Sequence, residues 1–413
     1  MSDAITAFGS PRELRARLVR AERRQRLAAF GLAAPLVLFL IVFFVLPIGQ
    51  MLTAAWVDRS VVDAMPRTAA VIHEWNRDGL PAEPVYEAIA LDLRDGQAAR
   101  ALAVPARRLN QELNGFRTLI LGTPRSLPEE TPQSWRDTLL EINARWGDMA
   151  HLVTLQRAAG ATTDYYMLDA LDLQRGLDDS IVRQPPDQRL FLSLIWRTLA
   201  IALSVTAICL VMGFPIAFLL AHVDGALRNA LLILVLLPFW TSLLVRTAAW
   251  IVLLQSEGIV NTALIGLGVI DEPVRLIYNR VGVLIVMSQV LLPFMILPLY
   301  AVMSGIPRSH MRAAQSLGGR PFFAFRRVYL PQTLPGVAAG TLLVFMLAMG
   351  YYVTPALVGG GGDQMLSYYI AFYANETINW GLAAALGTVL MAIVLVLFLV
   401  YSRLFGVRNV RMG

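Results

Sequence analysis

Lysine is absent from the 413 residues, and all 35 basic side chains are arginine. A Walker A phosphate loop needs a lysine to reach the terminal phosphates of a nucleotide, so ATP binding of that kind is excluded. Cysteine is nearly absent as well. The single Cys209 forbids an intrachain disulfide, whichever compartment the chain meets. The four histidines, His73, His151, His222 and His310, lie far apart in the sequence and lack ligand spacing, so no zinc or haem site is expected. Charge itself is scarce: 15% of residues are charged against 56% apolar, with a mean hydropathy of +0.58. An ordinary soluble protein is not built from that mixture, and a membrane protein is the expectation.

The charges are missing in blocks. None falls in residues 27–57, 198–221, 281–307, 332–362 or 377–402, and residues 230–256 contain only Arg246. Each block exceeds the roughly 20 helical residues that cross a ~30 Å hydrocarbon layer, so six spans are predicted. The first block is far longer than the roughly 7 to 15 apolar residues of a cleavable signal peptide. Thr53, Ala54 and Ala55 offer small residues near a cut, but a retained first span is expected. Arginine then sets the orientation. Seven arginines precede the first span, and alternation brings the total on that side to sixteen, against only Arg275 and Arg280 in the short loops opposite. Both termini are therefore predicted to be cytoplasmic.

The resulting division is a basic tail at 1–26, a first span at 27–57, an insert at 58–190, a five-helix core at 191–405 and a second tail at 406–413. The insert holds 15 arginines and 20 acids, and about 130 residues suffice to bury a core without disulfides. Apolar residues recur at helical intervals in 85–100, 103–113, 134–146 and 167–177, which predicts a small, mostly helical extracytoplasmic domain. Two readings of it stand side by side: it stiffens the outer face, or it docks an extracytoplasmic partner.

The most informative stretch is 306–331, on the arginine-rich side. A short helix is predicted over 308–317, stopped at Gly318, where glycine tolerates the left-handed conformation of a helix end. Pro321 suits the first turn of a second helix leading back to the membrane. This helix, elbow, helix resembles the signature loop of binding-protein-dependent ABC import permeases: Glu-Ala-Ala, three residues, Gly, nine residues, Ile, one residue, Leu-Pro. Ala313, Ala314, Gly318, Val328, Leu330 and Pro331 keep every spacing, and Arg312 stands where glutamate is usual. A salt bridge from that position is therefore not carried over, while the elbow is. The resemblance covers residues 191–405 and the first span. Within it, 237–247 and 351–357 resemble the spermidine/putrescine branch, whose smaller members carry no insert of this size.

The resemblance implies an all-α membrane protein with the six helices of the type I ABC importer permease fold, plus the helical insert. It implies a transport subunit, not an enzyme, in a bacterial inner membrane with residues 58–190 periplasmic. The loop would be a coupling helix seated in a cleft of an ATP-hydrolysing subunit, with Phe322, Phe323 and Phe325 as apolar anchors and small Ala313 and Ala314 permitting close approach. The implied partners are a second permease subunit, two ATP-binding cassette subunits, an extracytoplasmic solute-binding protein and the lipid membrane, with no nucleic acid. No cofactor would be bound by this chain; ATP and Mg would be used by the partner. The substrate would be a polyamine or similar cationic amine.

Candidate path residues are Trp240, Arg246, Tyr351, Tyr352, Asp363 and Glu376. Aromatic faces and carboxylates attract an ammonium, although tryptophan and tyrosine also gather at membrane interfaces. Trp250, Tyr368, Tyr369, Tyr373, Trp380 and Glu257 belong to the same outer group. Arg246 is predicted toward the outer third of its span, where it snorkels, lines the path or pairs with a partner's acid. Prolines 215, 238, 293, 298 and 355 are expected inside spans, bending them. Gly350 and Gly359 bracket 351–357, where a moving gate is expected. An ion-coupled secondary transporter is the rival from another class. It needs ionisable groups at mid-membrane, and no Asp, Glu or His falls within the six blocks. A membrane-anchored scaffold, the third reading, would leave 306–331 dispensable.

Overall fold

The computed structural model describes Arg23 and residues 30–405; the basic tails expected at 1–26 and 406–413 otherwise lie outside the described residues. Among the described residues, six helices are long and apolar enough to cross a membrane. The chain divides into two units, residues 1–54 and 55–413. In the first unit, helix α1 (Phe30–Thr53) is 24 residues long and mostly apolar, with none of its side chains buried. Its ladder slips by one residue at Ile41–Val45, where the Leu46 amide reaches the Ile41 carbonyl. Pro47 follows at once; it has no N–H to give, and its ring would crowd the carbonyl of a regular turn.

In the second unit the insert is helical, as predicted: α2 (Ser60–Ala64), α3 (Pro66–Ile72), α4 (Glu83–Ala98), α5 (Ala103–Glu112), α6 (Phe116–Gly122), α7 (Trp135–Ile142), α8 (Met149–Ala158) and α9 (Tyr165–Asp169). Helix α4 shows why: Val85, Tyr86, Ile89, Ala90 and Leu93 recur on one face and are buried against Leu109, Phe116, Ile120 and Leu139. The Trp146 indole closes this core, donating to Thr123 Oγ1 at 3.0 Å. The helix expected over 167–177 stops at Asp169. After α9 the chain forms a hairpin, β1 (Leu173–Arg175) antiparallel to β2 (Ile181–Arg183), with Leu173 opposite Arg183. Asp172, at φ 56°, breaks the helical path. Its carboxylate instead accepts the amides of Leu190, Phe191 and Leu192 at 3.0, 2.8 and 2.8 Å, closing the N-terminus of α10 (Phe191–His222).

The membrane core follows as α11 (Ala226–Leu236), α12 (Leu243–Leu254), α13 (Ile259–Gly266), α14 (Arg280–Ser304), α15 (Arg308–Ser316), α16 (Pro321–Ala324), α17 (Leu330–Gly350), α18 (Val353–Val358), α19 (Leu366–Asn375) and α20 (Trp380–Phe405). Helices α10, α14 and α17 pack together around small residues. A Cβ at Gly213 or Gly340 would lie 3.0 or 2.8 Å from Met295, so the glycines admit that side chain from both sides. Thr198 Oγ1 accepts the Leu366 amide at 2.8 Å, tying α10 to the start of α19.

Two spans depart from expectation. Residues 230–256 are not one helix: α11 tightens into a turn at Leu237–Trp240, Thr241 and Ser242 are extended, and the span-length apolar stretch is Leu243–Gly266, made of α12 and α13 with a turn between them. Pro238 withholds a donor within that turn. The fifth span runs over Pro321–Gly350, ends as Tyr351 leaves the helix at ψ 129°, and is followed by the short α18. Pro355 thus sits on α18 and Pro238 in a break, not inside spans. Pro215, Pro293 and Pro298 do lie within long helices.

Candidate functional site

The signature stretch folds as its residues demand. Helix α15 ends at Leu317, Gly318 takes φ 86°, and Pro321 opens α16. Gly319 is a second requirement that the sequence pattern did not reveal: a Cβ there would lie 2.7 Å from the Ala314 carbonyl oxygen, which accepts the Gly319 amide. Leu317, Phe322 and Phe323 stand out at 89, 75 and 58% exposure. Arg312, Ala313 and Pro331 are exposed, and Ala314, Val328 and Leu330 are half-buried.

Phe325 is the exception among the expected anchors, because it faces inward. Its ring lies 6.5 Å from Phe214, 5.8 Å from Phe218 and 5.6 Å from Tyr329. Tyr329 in turn lies edge-on to Phe218 at 5.4 Å. This cluster joins the root of the helix, elbow, helix segment, a lever formed by α15 and α16, to α10. The Arg308 guanidinium adds a second link, donating to Asp224 at 3.0 Å and to the His222 carbonyl at 3.1 Å, just past the end of α10. His310 Nδ1 lies 2.9 Å from Gln332 Oε1 on α17. The lever is thus attached to α10 and to α17.

The expected path residues do not form one cluster. Arg246 folds back over the helix break, donating to the carbonyls of Pro238 and Thr241 and to Thr241 Oγ1. It straps the broken segment, a role that an unbroken span concealed. Tyr351 packs with Trp250 against Leu254, Val286 and Val358. Trp250 donates to Gln289 at 3.2 Å, a polar pair between spans that charge counting could not find. Asp363 accepts from Arg280 at 3.0 Å and is largely covered. Trp240 is 86% exposed, Tyr352 is 45% exposed, and Glu376 is exposed.

A denser polar group, missed in the sequence, lies where the insert meets the membrane helices. Arg108 is 5% exposed and is held by Asp58 at 2.6 Å and Glu112 at 2.9 Å, with its guanidinium 4.3 Å from the Tyr165 ring centre and 4.9 Å from that of Tyr166. Burial acts to raise the Asp58 carboxyl, but bonds from Ser60, the charge of Arg108 and the Tyr166 hydroxyl outweigh it and hold the pKa below the ordinary value. Asp169 goes the other way. Burial and the neighbouring Asp172 and Glu112 raise it, against the lowering effects of a hydrogen bond from Gln184 and the charge of Arg108. Burial likewise raises the phenols of Tyr165 and Tyr166. The i, i+4 pair Arg108 and Glu112 was the available sequence signal, but nothing along the chain brings it to Asp58 or Asp169. Tyr166 then meets the last span: a Cβ on Gly381 would fall 2.3 Å from its ring.

The sequence profile of the family described as "Binding-protein-dependent transport system inner membrane component" matches residues 213–407. The chain is 37% identical over 214 residues to the spermidine/putrescine transport system permease protein PotB of Haemophilus influenzae, covering 52% of this chain and 75% of that protein. It is 35% identical to PotB of Escherichia coli K12, covering 52% and 78%. It is 33% identical to the inner membrane ABC transporter permease protein YdcU of the same organism, covering 52% and 71%. Among solved structures, a bacterial ABC transporter involved in the import of the acidic polysaccharide alginate superposes with a TM-score of 0.43 at 20% identity, covering 54% of this chain and 80% of that one.

Proposed function

The chain belongs to the family of binding-protein-dependent transport system inner membrane components, and on that premise we propose that it forms, with a second permease subunit, the translocation path for a polyamine or similar small cationic solute. It is the multi-pass membrane permease of an ABC importer, whose ATPase and solute-binding protein are separate chains. The proposed assembly has two cassette subunits, which use ATP and Mg. Both termini are cytoplasmic, and residues 58–190 are periplasmic. Sixteen arginines on one side support that orientation, and the likeness to spermidine/putrescine permeases supports the substrate.

The observation that carries the coupling role is the lever. It presents bare Leu317, Phe322 and Phe323 to a neighbour, while Arg308 and Phe325 tie its root to α10. A push on the exposed rings reaches α10 and α17 without passing through a flexible loop. Gly318→Asp tests it. The left-handed φ costs a non-glycine residue roughly 1 to 2 kcal/mol, and a charge enters the docking surface. In proteoliposomes holding the complete importer, spermidine uptake per ATP hydrolysed should fall about tenfold, with the variant still assembled in the membrane. Unchanged uptake per ATP would remove the lever from the mechanism.

A further inference from the structure

A cavity of about 1240 Å³ opens in the insert where it meets α10 and α19. Glu112, Tyr165, Asp169, Phe191 and Tyr373 line it, and the rings of Phe191 and Tyr373 lie 6.1 Å apart. One carboxylate here has no arginine bonded to it. Asp58 and Glu112 share Arg108, and Asp172 is committed to the α10 amides. Asp169 receives only the neutral Gln184 amide, at 2.7 Å. The Arg108 charge favours its ionised form through space but does not bond it, so this mostly buried carboxylate keeps room for a directly bonded cation. Tyr165 and Tyr373 also line the cavity and bring two aromatic rings to it. Elsewhere in the wall the arginines are occupied. Arg175 is held by Asp164 at 2.5 Å, and Arg77 and Arg157 each lie 2.7 Å from Asp179.

We infer that this cavity binds a linear alkylamine, a di- or polyamine, with one ammonium on Asp169 beside the rings of Tyr165 and Tyr373. The domain already recognises one cation in this way, since the Arg108 guanidinium sits between carboxylates and over the same Tyr165 ring. Aromatic faces and a water-poor carboxylate select an organic cation. Among the described residues no three His, Cys, Asp or Glu side chains converge as metal ligands. The choice of an amine over other organic cations rests on the substrate reading above, but the site lies outside the membrane path and captures the amine on the insert.

The test is binding, not uptake, so the two readings fail separately. Labelled putrescine is dialysed against the full chain alone in lipid nanodiscs. The protein should prefer putrescine over butanediol, and over aminobutyrate, by about tenfold or more, and Asp169→Asn should weaken putrescine by about tenfold. Tyr373→Leu should weaken it several-fold, and Glu87→Gln, exposed on α4 and outside the cavity wall, should leave it unchanged. Equal binding of the diol, tighter binding of the amino acid, or unaltered affinity in a folded Asp169→Asn would overturn the proposal. A further variant, Asp363→Asn, probes the proposed path: loss there with Asp169→Asn unaffected would overturn the proposal too, by moving the amine into the path and leaving the substrate reading standing. Absence of putrescine binding by a chain whose complete importer takes putrescine up would sink this site alone.

Discussion

Asp58 and Asp169 are buried in one neighbourhood and respond to pH with opposite signs. The folded pKa of Asp58 lies below its ordinary 3.8, so its contribution to stability is present above that value and is lost as pH falls through the folded pKa. The folded pKa of Asp169 lies above 3.8. Its contribution is present below 3.8 and is lost as pH rises through the raised pKa, so near neutral pH the ionised carboxylate costs stability. Asp169→Asn is therefore expected to melt above the parent protein near neutral pH, with the gap closing toward pH ~4. Asp58→Asn is expected to melt below it, because Arg108 would keep only Glu112; losing a bond to a charged group costs about 2 kcal/mol. Thermal melts of the full chain across that range check both. A stabilising Asp169→Asn that also lost putrescine would mark Asp169 as a residue retained for its ligand and not for the fold.

Helix α10 shows what an element asks of residues distant in sequence. Its first amides have no partner within the helix, and Asp172, from the hairpin side of the insert, accepts three of them. Asp172→Ala leaves them bare and should cost about 1 to 2 kcal/mol. Faster hydrogen exchange at Leu190, Phe191 and Leu192, with exchange in α4 unchanged, is the expected readout. The same aspartate explains why 167–177 misled. Leu168, Leu171 and Leu173 suit a helix as well as a strand, and only the need of α10 for a cap turns Asp172 out of the helical path. The break at Thr241 and Ser242 was hidden for a related reason, since hydropathy registers apolar content and not the missing donor of Pro238. The lever, by contrast, was legible. Its helix stop at Gly318 and restart at Pro321 are local steric demands. Phe325 was misplaced, as an apolar residue on an amphipathic lever reads alike whether it meets a partner or Phe218. The Asp169 cavity was out of reach, because its wall is assembled from Glu112, Asp169 and Tyr373, on three helices separated by more than fifty residues at each step.

Across the molecule, α10 is held at both ends. At the insert end Asp172 caps it, and Phe191 meets Tyr373. At the lever end Phe218 meets Phe325, and Arg308 reaches Asp224. Its 32 residues span about 48 Å at ~1.5 Å each, so a displacement imposed by the lever arrives at the insert through one packed rod. Under the proposed function, the two ends fail differently. Arg308→Ala loosens the lever from α10, leaving only the Phe325 and Tyr329 rings to hold it, and ATP hydrolysed per solute imported should rise several-fold. Gly381→Leu works at the other end. The Tyr166 ring it strikes cannot swing aside without giving up the 2.8 Å bond of its hydroxyl to Asp58, so the insert must shift against α20. Uptake and solute-stimulated hydrolysis should then fall together, leaving their ratio near the parent value, because the lever stays attached. Both quantities are measured on the same proteoliposomes. If Gly381→Leu raised the ratio as Arg308→Ala does, the insert would itself bear on coupling and α10 would not act as a rod driven from one end.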